Sequence, residues 1–447
     1  MSVLAQGADQ LLYGWGRTAP ASSRVLGPAG LEQLQELVTS RPGRGVLARG
    51  AGCSYGDAAQ NSGGWVLAPV AEVVIDIRPA AGTVYASASV TFAELLSAVV
   101  PYGLLLPVLP GTRHLTLGGA IAADVHGKNQ RRDGSIASWV EEIELLDGQG
   151  ELRFVSRSRD PEAFFATIGG MGLTGIILAA TLRLRPVRST LLDVTARRLP
   201  DLDAVLAALD EAASQYSVAW IDTTAGGPNL GRGIVERGDH LPAPEPMAEP
   251  DRLGYRPGRL LRAPQLPFCP VTPVSARAFN SLWYRKAPAF RAGLAGLPEF
   301  FHRLDAVSGW NHALGPGGIV QYQFAVPAGE YPVLGQALRT LRDYAPFLGT
   351  LKRFGPASGG PLSFPLPGWS LAVDLPAGDS RLRSVLDDLD GMVAAAGGRV
   401  YLAKDARLSR PAFERMYGDL TAWRAVRARL DPAGVFRSDL GRRLGLC

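Results

Sequence analysis

The sequence predicts a two-domain α+β protein, on three observations. Its 447 residues exceed one ordinary domain and suit two packed units. Up to about residue 190, short strand patterns alternate with Gly-rich turns, which suggests small mixed sheets. Beyond that point helical and strand patterns follow one another in a way that suits an antiparallel sheet with helices on one face.

The elements follow in order. "GVLARG", "WVLAPVAEVVIDI" and "TVYASASV" read as strands, and "TFAELLSAVVPYG" as a helix with Thr91 and Glu94 placed as a capping box and a glycine at its end. "VEEIELLDGQGELRFV" is a hairpin around a Gly-containing turn. "DPEAFFATIGG" is a short helix with Asp160 as cap and Pro161 at its first position, and "GIILAATLRLRPV" closes the unit as a strand. In the second unit "LDAVLAALDEAASQ" is a helix and "VAWID" a strand; the Pro/Gly-rich stretch from Gly226 to Pro273 reads as long loops. Then come strand "IVQYQFAVP", helix "YPVLGQALRTLRDYA", strands "LGTLKRFG" and "WSLAVDLP", helix "RLRSVLDDLDGMVAAAGG" and strand "RVYLAKD". The last helical stretch, "AFERMYGDLTAWRAVRARLDP", leads a tail back to the first unit. The division expected is 1–190, 191–399 and a returning segment 400–447.

Composition narrows the function. Hydrophobic residues at 47% and charged residues at 19% exclude general disorder. The longest apolar run, "GLTGIILAATL", stops at Arg183 and is too short to span a bilayer. The N-terminal "MSVLAQGADQLLYGWGR" has no basic start followed by an apolar core and small-residue cleavage site, so no signal peptide is expected. Cys53, Cys269 and Cys447 lie far apart without a C-x-x-C pair, which disfavours zinc or a disulfide framework and suits a reducing compartment. The net charge of +5 comes from scattered arginines with no interleaved aromatics, so nucleic acid is not expected as a partner, while attraction to anionic lipid headgroups stays open. Only four lysines (Lys128, Lys286, Lys352, Lys404) stand among 42 arginines, which marks each as a place where a compact ammonium is needed.

Glycine clusters carry the chemistry. "GMGLTG" matches G-x-G-x-x-G but precedes a strand, so it fails as a Rossmann fingerprint. "ARGAGCSYGD" follows a strand and reads as a backbone nest for an anion such as pyrophosphate. In "LPGTRHLTLGGAIAADVHGKN", Gly111, Gly118, Gly119 and Gly127 permit close approach of a flat cofactor, and His126 and Lys128 come to its edge.

These segments, with "GGMGLTGIIL", resemble the FAD domain of the vanillyl-alcohol-oxidase type of flavoprotein. "YGWGRTAP", "VHGKN", "LWYRK", "QYQF", "LKRFGP", "PLSFPLPGW" and "YLAKD" extend the likeness over nearly the whole chain, to the branch of that family acting on decaprenylphosphoryl-β-D-ribose. The resemblance implies an FAD-binding domain plus an antiparallel-sheet substrate domain. It implies FAD against Ala48, Arg49, Gly50, Ala51, Gly52, Cys53, Ser54, Tyr55, Gly56, Asp57 and Ala58, against Gly111, Thr116, Leu117, Gly118, Gly119, Ala123, Asp124, Val125 and His126, and against Ile176 and Tyr401. Ser54 and Tyr55 stand where many relatives tether FAD through a histidine, so the FAD is expected to be non-covalent.

The activity implied is oxidation of the ribose 2'-hydroxyl of a polyprenylphosphoryl ribose to a 2'-keto sugar, the first half of an epimerisation toward the arabinose donor of mycobacterial-type cell walls. An NAD(P)H-dependent short-chain reductase partner would complete it. Lys404 is implied at the flavin and substrate, with Lys128, Trp220, Phe301, Gln321, Gln323, Lys352, Phe354, Ser370 and Ala372 in the same pocket. His126 is the first candidate for the hydroxyl proton, because an imidazole titrates near operating pH. No metal is implied. Four positions depart from the branch: Ser370, Ala372, Phe301 and Cys53 replace Asn, Cys, Tyr and Arg. A cytoplasmic location with peripheral association at the inner membrane is expected from the lipid substrate. The rival readings are an aldonolactone or alditol oxidase acting on a soluble sugar, which shares the cofactor loops, and a lipid-phosphate or nucleic-acid binder, which leaves those loops without a role.

Overall fold

The computed structural model describes residues 7–27, 29–68, 73–211, 213–241, 253–255, 261–357, 359–418 and 420–447. Besides a two-stranded ladder of Leu104–Leu105 with Arg185–Pro186, the first unit holds two larger sheets. One runs in the order Ala8–Leu12, Ala21–Leu26, Trp65–Leu67, Val46–Ala48, antiparallel in its first pair and parallel in the others. The other is antiparallel, in the order Ile75–Arg78, Thr83–Ser87, Ile176–Arg183, Val140–Leu146, Leu152–Ser156. "WVLAPVAEVVIDI" is therefore two strands in two sheets, and 69–72 between them lie outside the described residues.

The helix Phe92–Val99 has the predicted capping box: Glu94 N donates to Thr91 Oγ1 at 3.2 Å, and Thr91 N donates to Glu94 Oε2 at 2.7 Å. Such a cap contributes ~1 kcal/mol, and the helix then buries Phe92, Leu95, Leu96 and Val99 in the core of this unit. Asp160 likewise caps Pro161–Thr167 by accepting from Ala163 N at 3.1 Å.

The second unit is an eight-stranded, wholly antiparallel sheet in the order Phe290–Gly296, Leu191–Leu199, Gly233–His240, Tyr216–Ile221, Leu348–Phe354, Gly368–Pro376, Ile319–Pro327, Arg399–Val400. Successive side chains of a strand point to opposite faces. On one face Ala219, Ile221, Val235, Tyr322, Phe324, Leu351, Leu371 and Val373 pack under the helices Leu202–Asp210, Pro332–Leu341 and Leu382–Ala395. The other face carries the site.

Two expectations are corrected here. The stretch Gly226–Pro273 is not all loop, because Gly233–His240 lies inside the sheet and pairs on both sides; 242–252 and 256–260 lie outside the described residues. "RVYLAKD" pairs only through Arg399–Val400 before it turns.

The last helical stretch is two helices, Arg410–Met416 and Leu420–Leu430. The second packs on the first unit, where Trp423 Nε1 donates to Ala166 O at 3.0 Å. Beyond it, Val46 N donates to Val435 O at 2.8 Å, joining the tail to the small sheet. No helix among the described residues is long and apolar enough to cross a membrane.

Candidate active site

A cavity of about 1740 Å³ lies between the Gly-rich loops of the first unit and the face of the large sheet opposite those three helices. The sheet contributes alternate residues from seven strands: Arg291, Ala196, Glu236, Val218 and Trp220, Thr350 and Lys352, Ser370 and Ala372, and Gln321 and Gln323. Their registers match across the strands, with Trp220 opposite Thr350, Thr350 opposite Ala372 and Gln323 opposite Ala372.

On the opposite wall, Ala48, Arg49, Gly50, Ala51, Gly52, Cys53, Ser54, Tyr55 and Ala58 line the cavity. The loop is held open from behind: Arg49 donates to Ala59 O at 2.7 Å and Tyr13 O at 2.6 Å, while Tyr55 N donates to Ala403 O at 2.9 Å. Gly56 and Asp57 do not line it. Gly56 is pressed against the Asp405 backbone, and Asp57 forms a two-bond pair with Arg443 at 2.7 and 2.9 Å. Both support the loop without facing the cavity.

In the second segment Gly111, Thr116, Gly118, Gly119, Ala123, Val125 and His126 line the cavity. Thr116 caps a six-residue helix, Leu117–Ala122, built from the small-residue segment. A side chain on Gly118 would press on Ala88 Cβ at 2.8 Å, and one on Gly127 on Leu109 O at 2.8 Å, so protein packing alone demands those two glycines. Gly111 meets no protein atom within 4 Å on that side, which leaves room for a ligand. Leu117 is wholly buried in the core, and Asp124, at φ +41°, accepts from Ala137 N at 3.2 Å behind the wall. Ile176 lines the third side beside Met171 and Gly172, and Tyr401 closes it by donating to Ala123 O at 2.8 Å.

Lys128, Lys352 and Lys404 all reach this cavity, and Lys286 lines its outer part. Lys404 Nζ lies 4.1 Å from the Tyr55 ring centroid. Burial lowers Lys404 to about 8, against the opposing pull of Asp374 and Cys53. Burial and the charge of Lys404 bring Lys352 to about 8 as well. Lys128 is lowered by burial to about 7, donates to Phe300 O at 2.5 Å and lies 3.7 Å from Glu236. Gln323 Nε2 donates to His126 Nε2 at 3.2 Å and to Ser370 Oγ at 3.2 Å. Burial, then Lys352 and Lys404, hold His126 well below its usual range, so the ring is neutral.

Gln321 Nε2 donates to Asp374 at 2.9 Å and to Tyr55 Oη at 3.4 Å, linking the two units across the cavity. Trp220 and Phe301 are walls, but Phe354 is not: it is 1% exposed and packs edge-on against His126 at 4.9 Å. Sequence reasoning missed Asp374, whose signal is a carboxylate in an apolar strand at the parity of Ser370 and Ala372. Burial raises it to about 6. Glu236 was missed because its strand was taken for loop.

The residues present fit a dinucleotide flavin. The buried Nδ1 of His126 and Oγ of the lining residue Ser89 have no protein partner, Gly111 opens onto free space, and the glycine nest presents backbone to the cavity. Fold and site define a two-domain FAD-dependent oxidoreductase of the vanillyl-alcohol-oxidase type. A family model described as an FAD binding domain matches residues 22–156, and one described as D-arabinono-1,4-lactone oxidase matches residues 375–444.

The chain is 39% identical to the decaprenylphosphoryl-β-D-ribose oxidase of Mycolicibacterium smegmatis over 97% of both chains. It is 43% identical, over 80% of its own length, to the whole of an uncharacterised Streptomyces coelicolor protein from the mprA 5' region. It is 31% identical over 38% of its length to 41% of the alditol oxidase of a Streptomyces species. The chain belongs to the decaprenylphosphoryl-β-D-ribose oxidase family, and its cofactor is FAD.

Proposed function

We propose that this protein oxidises the ribose 2'-hydroxyl of a polyprenylphosphoryl-β-D-ribose to the 2'-keto sugar, the first half of an epimerisation at that carbon. The observation that carries this reading is the sheet face of Lys352, Gln321, Gln323 and Ser370 set against the cofactor loops, in a chain alignable end to end with an oxidase of that name. FAD, held without a covalent bond by the loops around Gly50 and Gly118, supplies the two-electron acceptor for the C2' hydride.

The chain's own groups handle the proton and the charge. A substrate hydroxyl that takes the position of the Gln323 amide donates to His126 Nε2, whose lone pair is present because the ring is neutral. The buried Lys404 ammonium would stabilise the negative charge that builds on the hydride acceptor as the hydride arrives. Lys352 and Gln323 orient the sugar. A separate reductase must then return hydride to the ketone, and a lipid-linked substrate brings the protein to a membrane surface.

The D-arabinono-1,4-lactone oxidase match favours a second reading, a soluble-sugar oxidase. It spans only 375–444, from the helix Leu382–Ala395 to the tail, and omits most of the sheet face. Anaerobic mixing with a prenylphosphoryl ribose, followed by flavin absorbance, tests the choice. Bleaching is expected; none in a flavin-loaded sample that an alditol or aldonolactone does bleach overturns the lipid-linked reading.

A further inference from the structure

Three cations gather on one carboxylate along the outer strands of the sheet. Ala196 pairs with Glu236 on one side of its strand and with Arg291 on the other, so the three side chains form one cross-strand row. Ala196 offers only a methyl, and Arg291 reaches over it to within 3.8 Å of Glu236. Arg303 meets the same carboxylate at 2.7 Å and Lys128 at 3.7 Å. All four groups line the cavity.

One carboxylate faces two permanently charged arginines and a lysine, so at least one positive charge of the cluster stands uncompensated by an ion pair. The other carboxylates of the lining make no ion pair with these cations among the described residues: Glu299 accepts from Gly296 N at 2.7 Å and Asp305 from Arg113 N at 2.8 Å. The cluster runs from inside to outside, with the Lys128 side chain 17% exposed and that of Arg291 58% exposed. Such a graded set suits an anion that enters with its far end in solvent.

Apolar surface begins beside the same cations. Leu304 follows Arg303, lines the cavity and is 47% exposed. Phe279 and Trp283, one helical turn apart on Pro273–Lys286, stack at 6.1 Å and are also half-exposed lining residues. A strip of large apolar groups that continues out of a polar cavity is costly in water and calls for an apolar occupant.

Resting on the functional reading above, we propose that Lys128, Arg291 and Arg303 around Glu236 seat the phosphodiester of the substrate, and that the strip of Phe279, Trp283 and Leu304 carries its first isoprene units. The sugar then extends inward to Lys352 and Gln323, and the lipid outward. One ligand thus accounts for the excess charge and for the apolar strip beside it.

The test is equilibrium binding of farnesyl phosphate and farnesol to the FAD-loaded protein, by titration calorimetry. The wild type is expected to bind the phosphate at least tenfold more tightly, and Arg291→Gln/Arg303→Gln to lose that preference. Both arginines are largely exposed, so flavin content and circular dichroism should match the wild type. Trp283→Ser should weaken both ligands several-fold. Equal affinity of wild type and double variant for farnesyl phosphate overturns the phosphodiester site, and an unchanged Trp283→Ser overturns the strip. The functional reading fails separately: a protein that shows the phosphate preference but is not bleached by prenylphosphoryl ribose keeps this site and loses that reaction.

Discussion

Replacing Lys404 by methionine removes the ammonium while leaving most of its stem over the Tyr55 ring, 4.1 Å from the original nitrogen. A unit charge ~4 Å from a developing anion, at an effective dielectric of ~20, stabilises it by about 4 kcal/mol. Loss of one preorganised donor of this kind costs roughly 100- to 1000-fold in rate. The flavin-reduction rate in anaerobic stopped flow should therefore fall by that factor in Lys404→Met. In the wild type the pH profile carries the same information. With Lys404 at about 8, roughly nine-tenths of it is charged at pH 7 and one-tenth at pH 9, so the rate should drop about tenfold per unit above pH 8. Asp374 at about 6 sets an acid limb, whereas His126, held well below 6.5, sets none near neutrality. A wild-type rate that rises through pH 8 to 9 would refute the charge-stabilising role and make the neutral amine the base. A Lys404→Met rate within threefold of wild type would remove Lys404 from the chemistry altogether.

Denaturing the protein in acid should release all its flavin into the supernatant; colour retained by the precipitated chain would mean a covalent link and overturn the assignment from Ser54 and Tyr55. Arg443→Gln strands Asp57 and Asp405, which Arg443 meets at 2.7 and 2.9 Å, and should cost about 3–5 kcal/mol and lower both the thermal midpoint and the flavin-to-protein ratio. Unchanged values of both would show that the first loop does not depend on this pair. His302 is 2% exposed and is lowered to about 3, by burial first and then by the nearby charges of Arg113 and Lys128. Below pH 6.5 the unfolded chain takes up a proton that the native ring refuses, so this residue lowers stability as pH falls, by about 2 kcal/mol at pH 5. His302→Leu should thus lose less of its thermal midpoint between pH 7.5 and 5 than wild type; an equal loss would place the acid sensitivity elsewhere.

How far the sequence could be read depended on which face a residue serves. "IVQYQFAVP" announces its strand because Val320, Tyr322 and Phe324 pack under helices, and the glutamines between them mark the polar face. "GIVERGDH" hides its strand for the converse reason: Glu236 belongs to a polar site, and Gly238 leaves space for Phe300, so no apolar alternation survives. "FRAGLAG" is an edge strand with small residues, too little buried to show a period. The Gly-rich loops were legible through glycine's need for space, yet spacing cannot tell a glycine that faces open space, such as Gly111, from one that backs onto protein, such as Gly118. Asp57, Asp124 and Phe354 sit one layer behind the cavity, and depth of that kind is set by tertiary packing alone.

The closure of the small first sheet by Val435 and Phe436 bears on how the protein is made. A ribosome delivers the Gly50 loop early, but the partners of that region, Ala403, Asp405 and Arg443, come about 350 residues later. At ~5–20 residues per second the loop waits tens of seconds for its rear support. The rear support of the loop therefore forms only after the large sheet has been made, and a nascent chain stalled inside that sheet would hold a half-built first unit with its apolar seams open to chaperones.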